Sequence, residues 1–89
     1  MDTEIITVGV TEEITNPLIR AYPTLFNHSI QVEGVSDAAI INVFGIGGEL
    51  VLSTTPNNLP MDLSHFQNGL YILEILDGDQ RHVTKIVKY

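Results

Sequence analysis

The chain has 89 residues, 44% of them hydrophobic and 17% charged, with a formal net charge of -7. That length holds one domain, burying roughly 60 to 65% of its unfolded surface, and the apolar fraction offsets enough chain entropy to exclude disorder. The absence of cysteine excludes a disulfide scaffold, a zinc ribbon and thiol catalysis, while the acidic balance argues against nucleic acid or an anionic membrane as a partner.

Residues 4 to 11 alternate, with Ile6, Val8 and Val10 on one side and Thr7, Gly9 and Thr11 on the other, as in a half-buried strand. Asn16-Pro17 breaks the pattern. Residues 18 to 22 form a short strand, confined to an edge because Pro23 cannot donate to a ladder and holds Tyr22 extended. Residues 24 to 28 read as loop. Residues 29 to 33 alternate with Ile30 and Val32 inward, and Gly34-Val35-Ser36-Asp37 is turn composition before the apolar run from 38 to 44. Gly45-Ile46-Gly47-Gly48 then connects that run to a strand over 49 to 53 in a hairpin. Residues 54 to 60, with two prolines and two asparagines, are a crossing loop.

The most informative stretch follows. Asp62 and Ser64 bond nearby backbone amides and nucleate a turn, Phe66 plugs the core, and Gly69 supplies a permissive backbone angle where a β-carbon is expected to clash. From Leu70 to Leu76 six of seven residues are apolar or aromatic, interrupted by Glu74, which predicts a central strand buried on both faces. Phe66, Tyr71, Leu73 and Ile75 are expected to be largely buried. Asp77-Gly78-Asp79-Gln80 is a hairpin signal, so residues 81 to 89 return antiparallel. About seven short strands, with turns every eight to twelve residues and no helical periodicity, predict an all-β fold: an immunoglobulin-like antiparallel β-sandwich spanning residues 1–89 as a single domain.

Three of the four basic residues, Arg81, Lys85 and Lys88, lie in this last strand. Two readings stand: lysine protection of an edge strand, or a recognition tail. Both lysines are expected to expose their ammonium groups. Self-association through an edge strand is an option that the sequence leaves open.

Catalytic and metal-binding patterns are missing. Gly45-x-Gly47-Gly48 lies between strands and lacks the Lys and Ser/Thr of a phosphate loop. His28, His65 and His82 have no metal-ligand spacing, and Asp77-Gly78-Asp79 is a fragment of a calcium loop explained by its turn. No serine stands in a nucleophile elbow, and no carboxylate pair is placed in an apolar pocket. Neither an enzyme, a cofactor nor a metal is expected. No apolar run approaches the ~20 residues that span a bilayer, and Met1-Asp2-Thr3-Glu4 opens without the features of a signal peptide. A role outside the cytoplasm would therefore require a longer exported polypeptide.

Asp62-Leu63-Ser64-x-Phe66-x-x-Gly69-x-Tyr71-Ile72-Leu73-x-Ile75, followed by Lys85-Ile86-Val87-Lys88, resembles the C-terminal sorting domain of proteins exported by the type IX secretion system of Bacteroidetes. Tyr22-Pro23-x-x-Phe26, Ser29-Ile30-x-Val32 and Ile41-x-Val43-Phe44-x-x-Gly47-Gly48-x-Leu50-Val51 resemble that family's opening, next strand and middle hairpin. Thr24-Leu25 stands where the family usually has Asn-Pro, and Gly45 where Asp is common. The resemblance covers about residues 18–89, leaving 1–17 as a leading strand and linker to the cargo. It implies a non-catalytic secretion signal on an N-terminal cargo domain, read by the type IX outer-membrane translocon and usually removed at the surface by a sortase-like peptidase. Localisation would be the periplasm in transit, then the cell surface or the medium. Gly69, Tyr71, Lys85, Ile86, Val87 and Lys88 are the candidate recognition residues. An adhesion or carbohydrate-binding module of a larger surface protein is the alternative, disfavoured by the absence of tryptophan and the scarcity of tyrosine.

Overall fold

The computed structural model describes residues 18–89, so the strand expected over 4–11 lies outside the described residues. The described residues form eight strands: β1 (Arg20–Tyr22), β2 (Leu25–Phe26), β3 (Ser29–Glu33), β4 (Ile40–Gly45), β5 (Leu50–Thr54), β6 (Met61–Asp62), β7 (Gly69–Asp77) and β8 (Gln80–Lys88). A three-stranded sheet, β1-β3-β6, faces a five-stranded sheet, β2-β8-β7-β4-β5, giving an all-β sandwich. The Tyr22-Pro23 and Leu59-Pro60 peptide bonds are cis. β1 lies at a sheet edge, as its proline predicts.

Ile30, Val32 and Met61 from the smaller sheet meet Phe26, Ile41, Val43, Leu73, Ile75 and Ile86 from the larger, with Leu63 and Ile19 closing the core. β7 is central, paired along its length with β8 and, over Tyr71 to Leu76, with β4. It is not buried on both faces, however. Leu73 and Ile75 are fully buried, whereas Ile72, Glu74 and Leu76 are half-buried and Leu70 is exposed. A two-layer sandwich has only one interior, so an apolar run longer than the interior needs must put half its side chains outside.

Two elements escaped the sequence reading. Residues 24 to 28 read as loop in the sequence, yet Leu25 and Phe26 form β2 and pair parallel with Val87 and Lys88. Met61 and Asp62 form β6 opposite Ile30 and Ser29. Two residues carry no alternation to read, and each strand exists because a distant partner supplies its ladder.

The turns behave as their chemistry predicts. Asp62 Oδ1 accepts hydrogen bonds from the Ser64 amide (3.0 Å) and hydroxyl (2.7 Å), and the Leu63 amide donates to the His28 carbonyl (2.8 Å). At the other end, Asp77 accepts from the Ser36 hydroxyl (2.6 Å) and amide (2.8 Å), tying the β7–β8 hairpin to the Gly34-Asp37 turn. The Ser64 and Ser36 hydroxyls, then their amides, hold the Asp62 and Asp77 carboxyls below the usual carboxylate range. A carboxyl depressed in the folded state stabilises above its unfolded pKa of about 3.9 and loses that contribution as pH falls through the folded value. The thermal midpoint should therefore drop as pH falls below about 4. Asp77→Asn should flatten that drop, and an identical acid profile in this variant would contradict the assignment.

Phe66 and Tyr71 are half-buried rather than largely buried. Their rings pack with centroids 5.1 Å apart against the rim of the core, and the Tyr71 hydroxyl donates to the Gln67 carbonyl (2.7 Å). A tyrosine belongs at such a rim, where its ring is covered and its hydroxyl reaches a polar partner.

Candidate recognition surface

The six residues singled out from sequence lie together, because the β7–β8 register sets Gly69 opposite Lys88, Tyr71 opposite Ile86, and the partners Leu70 and Ile72 opposite Val87 and Lys85. Alternation then divides them between two faces. Tyr71, Ile86 and Lys88 point inward, and Lys85 and Val87 point outward. Ile86 is fully buried.

Lys88 departs from the expectation of an exposed ammonium, since the residue is only 8% exposed. Its stem lies over the end of the core beside Phe26, and its ammonium donates to Asn68 Oδ1 (3.4 Å) and the Tyr89 carbonyl (3.3 Å). A lysine covers apolar surface with its methylenes while keeping its head near polar atoms. Arg81 is committed too, with its Nε 3.0 Å from Glu74 Oε2. Of the three cations in β8, Lys85 alone is exposed without an ion pair among the described residues.

Nor is the chain end a free tail. The Val87 amide donates to the Thr24 carbonyl (2.7 Å), the Tyr89 amide to the Phe26 carbonyl (3.0 Å), and the Asn27 side chain to the Tyr89 carbonyl (2.6 Å). Strand addition along Val87 and Lys88 would have to displace β2.

Gly69 opens β7 with φ +146°, a conformation that side chains with a β-carbon rarely adopt. The expected clash is absent, because a β-carbon there would meet nothing within 4 Å; the requirement is one of backbone angle alone. Gly69→Ala should cost ~1 to 3 kcal/mol by urea denaturation, the usual range for such strain. A wild-type midpoint in that variant would remove the argument.

The cross-strand registers assemble an outer surface that sequence reading missed. One row runs Leu25-Val87-Leu70 across β2, β8 and β7; the next runs Lys85-Ile72-Phe44-Leu50 across β8, β7, β4 and β5. Leu25 is 61% exposed, Leu50 56%, Leu70 41% and Val87 37%, and Ile72 and Phe44 are half-buried. These rows form an apolar panel whose single charge is Lys85. A polar row bounds it: Ser53 Oγ donates to Asn42 Oδ1 (2.7 Å), Asn42 Nδ2 to Glu74 Oε1 (3.1 Å), and Arg81 to the other Glu74 oxygen. One signal could have revealed the panel: Glu74 interrupts the apolar run, so Leu70, Ile72 and Leu76, at even offsets from it, share its outward face.

Contiguous exposed apolar surface rimmed by polar groups marks an interaction site more often than it marks chance. Among the described residues no three of His, Cys, Asp and Glu stand close enough together to hold a metal ion. No curated protein matches the chain. The family described as the secretion system C-terminal sorting domain matches residues 20–89, a span that runs from β1 through the last residue of the panel and the chain end. The chain therefore belongs to this family, the C-terminal sorting domains of type IX secretion.

Proposed function

We propose that the chain is a non-catalytic signal that carries an attached N-terminal cargo through the type IX outer-membrane translocon, and that the translocon reads the apolar panel around Lys85. The observation that carries this reading is the panel itself: a two-layer sandwich gains nothing from leaving two rows of aliphatic side chains in water, so a partner that covers them explains their presence. Membership of the sorting-domain family supports the direction of transport, to the cell surface or the medium. The cargo passes through the periplasm, and a sortase-like peptidase removes the domain at the surface. Lys85 supplies a fixed positive charge at the panel's margin, which orients an acidic receptor site and speeds its encounter more than it adds affinity.

The test is a reporter bearing a signal peptide at its N-terminus and this chain at its C-terminus, expressed in a host with the secretion system. Surface delivery is expected, and removal of residues 18–89 should leave the reporter in the periplasm. Lys85→Ala should lower delivery severalfold with a shift in thermal midpoint corresponding to less than about 0.5 kcal/mol, as for other exposed sites. Lys88→Ala should lower the midpoint because its stem is packed. Delivery unaffected by Lys85→Ala would remove that lysine from the recognition surface, and delivery without residues 18–89 would refute the function.

A further inference from the structure

The five-stranded sheet has two outer strands, and only one is guarded. β2 is two residues long, whereas β5 presents five residues, Leu-Val-Leu-Ser-Thr, with β4 on one side and no described strand on the other. An open edge is ordinarily blunted by lysine, proline, a bulge or brevity. β5 contains neither a charge nor a proline, and its one irregularity, between Val43 and Phe44, falls near its start. Leu50 and Val51 are exposed.

Beside this edge lie two open clefts. One, of about 270 Å³, is lined by Glu49, Val51, Phe66, Gln67 and Tyr71. The other, of about 240 Å³, is bordered by Leu52, Thr54, Pro60 and Met61. At the entrance to β5 the Glu49 carboxylate folds back over the preceding turn, so closely that a β-carbon at Gly45 would collide with its Oε2. That carboxylate makes no hydrogen bond or ion pair with any described residue.

We propose that β5 is a docking edge for an extended segment of a partner protein, one that alternates aliphatic and small polar side chains and carries a lysine or arginine opposite Glu49. The segment adds as a sixth strand: its backbone completes the β5 ladder, alternate side chains enter the two clefts, and its cation meets Glu49. Charge disfavours a second copy of this chain as the occupant. Each copy has a net charge of -7, and its cations sit on β1 and β8, away from any β5-to-β5 pairing. This site lies at the opposite edge of the sheet from β2 and does not depend on the export reading.

The test uses the full 89-residue chain, 15N-labelled, with a synthetic nine-residue peptide of alternating valine and serine carrying a lysine near each end, and the same peptide with glutamates in place of the lysines. Amide shifts and slowed exchange are expected over residues 50 to 54 and at Phe66 and Tyr71. The lysine peptide should bind severalfold more tightly than the glutamate peptide, and Glu49→Lys should abolish most of that preference. Val51→Lys, which guards the edge, should weaken both by about tenfold. Circular dichroism melting of each variant verifies that it is folded, and Glu49→Lys alone suffices if Val51→Lys is not. Equal binding of the two peptides, perturbations centred on β8, no binding, or self-association through β5 without peptide would each overturn the proposal.

Discussion

Leu73→Ala is expected to destabilise the domain by ~2 to 5 kcal/mol, the range for removing a fully buried leucine and leaving a cavity. Leu73 lies in the middle of the central strand, opposite Val43 on one side and Thr84 on the other, with no exposed surface. Its neighbours Ile41, Ile75 and Ile86 belong to strands laddered on both sides, so they cannot collapse into the void without breaking register. A domain this small has a total stability of about 5 to 15 kcal/mol at most, so the variant stands near its unfolding midpoint. Urea denaturation with an unchanged slope checks the value. Ile72→Ala, one residue away on the outer face, should cost distinctly less, and equal losses at the two positions would mean that the inward face has been misassigned.

The second large effect is on export. Leu70→Thr combined with Val87→Thr should reduce surface delivery of a reporter to near background while the domain stays folded. These side chains are cross-strand neighbours on the outer face and are already 41% and 37% exposed. Threonine is β-branched and keeps the strand preference, so the change removes apolar surface from the panel without weakening the ladder. Exposed substitutions of this kind shift stability by about 0.5 kcal/mol or less per site. Ile40→Thr is the control, because Ile40 pairs with Leu76 beyond the polar row of Ser53, Asn42 and Glu74. It should leave delivery intact. If Ile40→Thr blocks delivery as fully as the double variant, export follows overall surface apolarity and the panel has no special standing.

Lys88 shows where reading by composition fails. Arg81, Lys85 and Lys88 form one basic group in the linear sequence, and the strand resolves them into three situations: an ion pair with Glu74, an exposed cation, and a packed stem. Parity explains part of this, since Lys85 and Lys88 differ by an odd number and so lie on opposite faces. The rest needs the partner elements, because nothing local to Lys88 announces that Phe26 will lie alongside it.

Local chemistry was legible where it is short-range. The Asp62-Ser64 turn, the Gly78-Asp79 hairpin, the alternation of β3 and the edge position of β1 all follow from residues within a few positions of one another, and the structure has each of them. The family motif was legible for the same reason, since it is a run of such local signals in fixed order. The amino-acid sequence by itself thus determined the β class, most strand positions and the family. Tertiary structure alone decided the two-residue strands β2 and β6, the burial of Lys88 and the union of Leu25, Leu50, Leu70 and Val87 into one panel. Alternation gives β7 two faces and Glu74 marks the outer one, but a panel built across five strands has no counterpart in linear order.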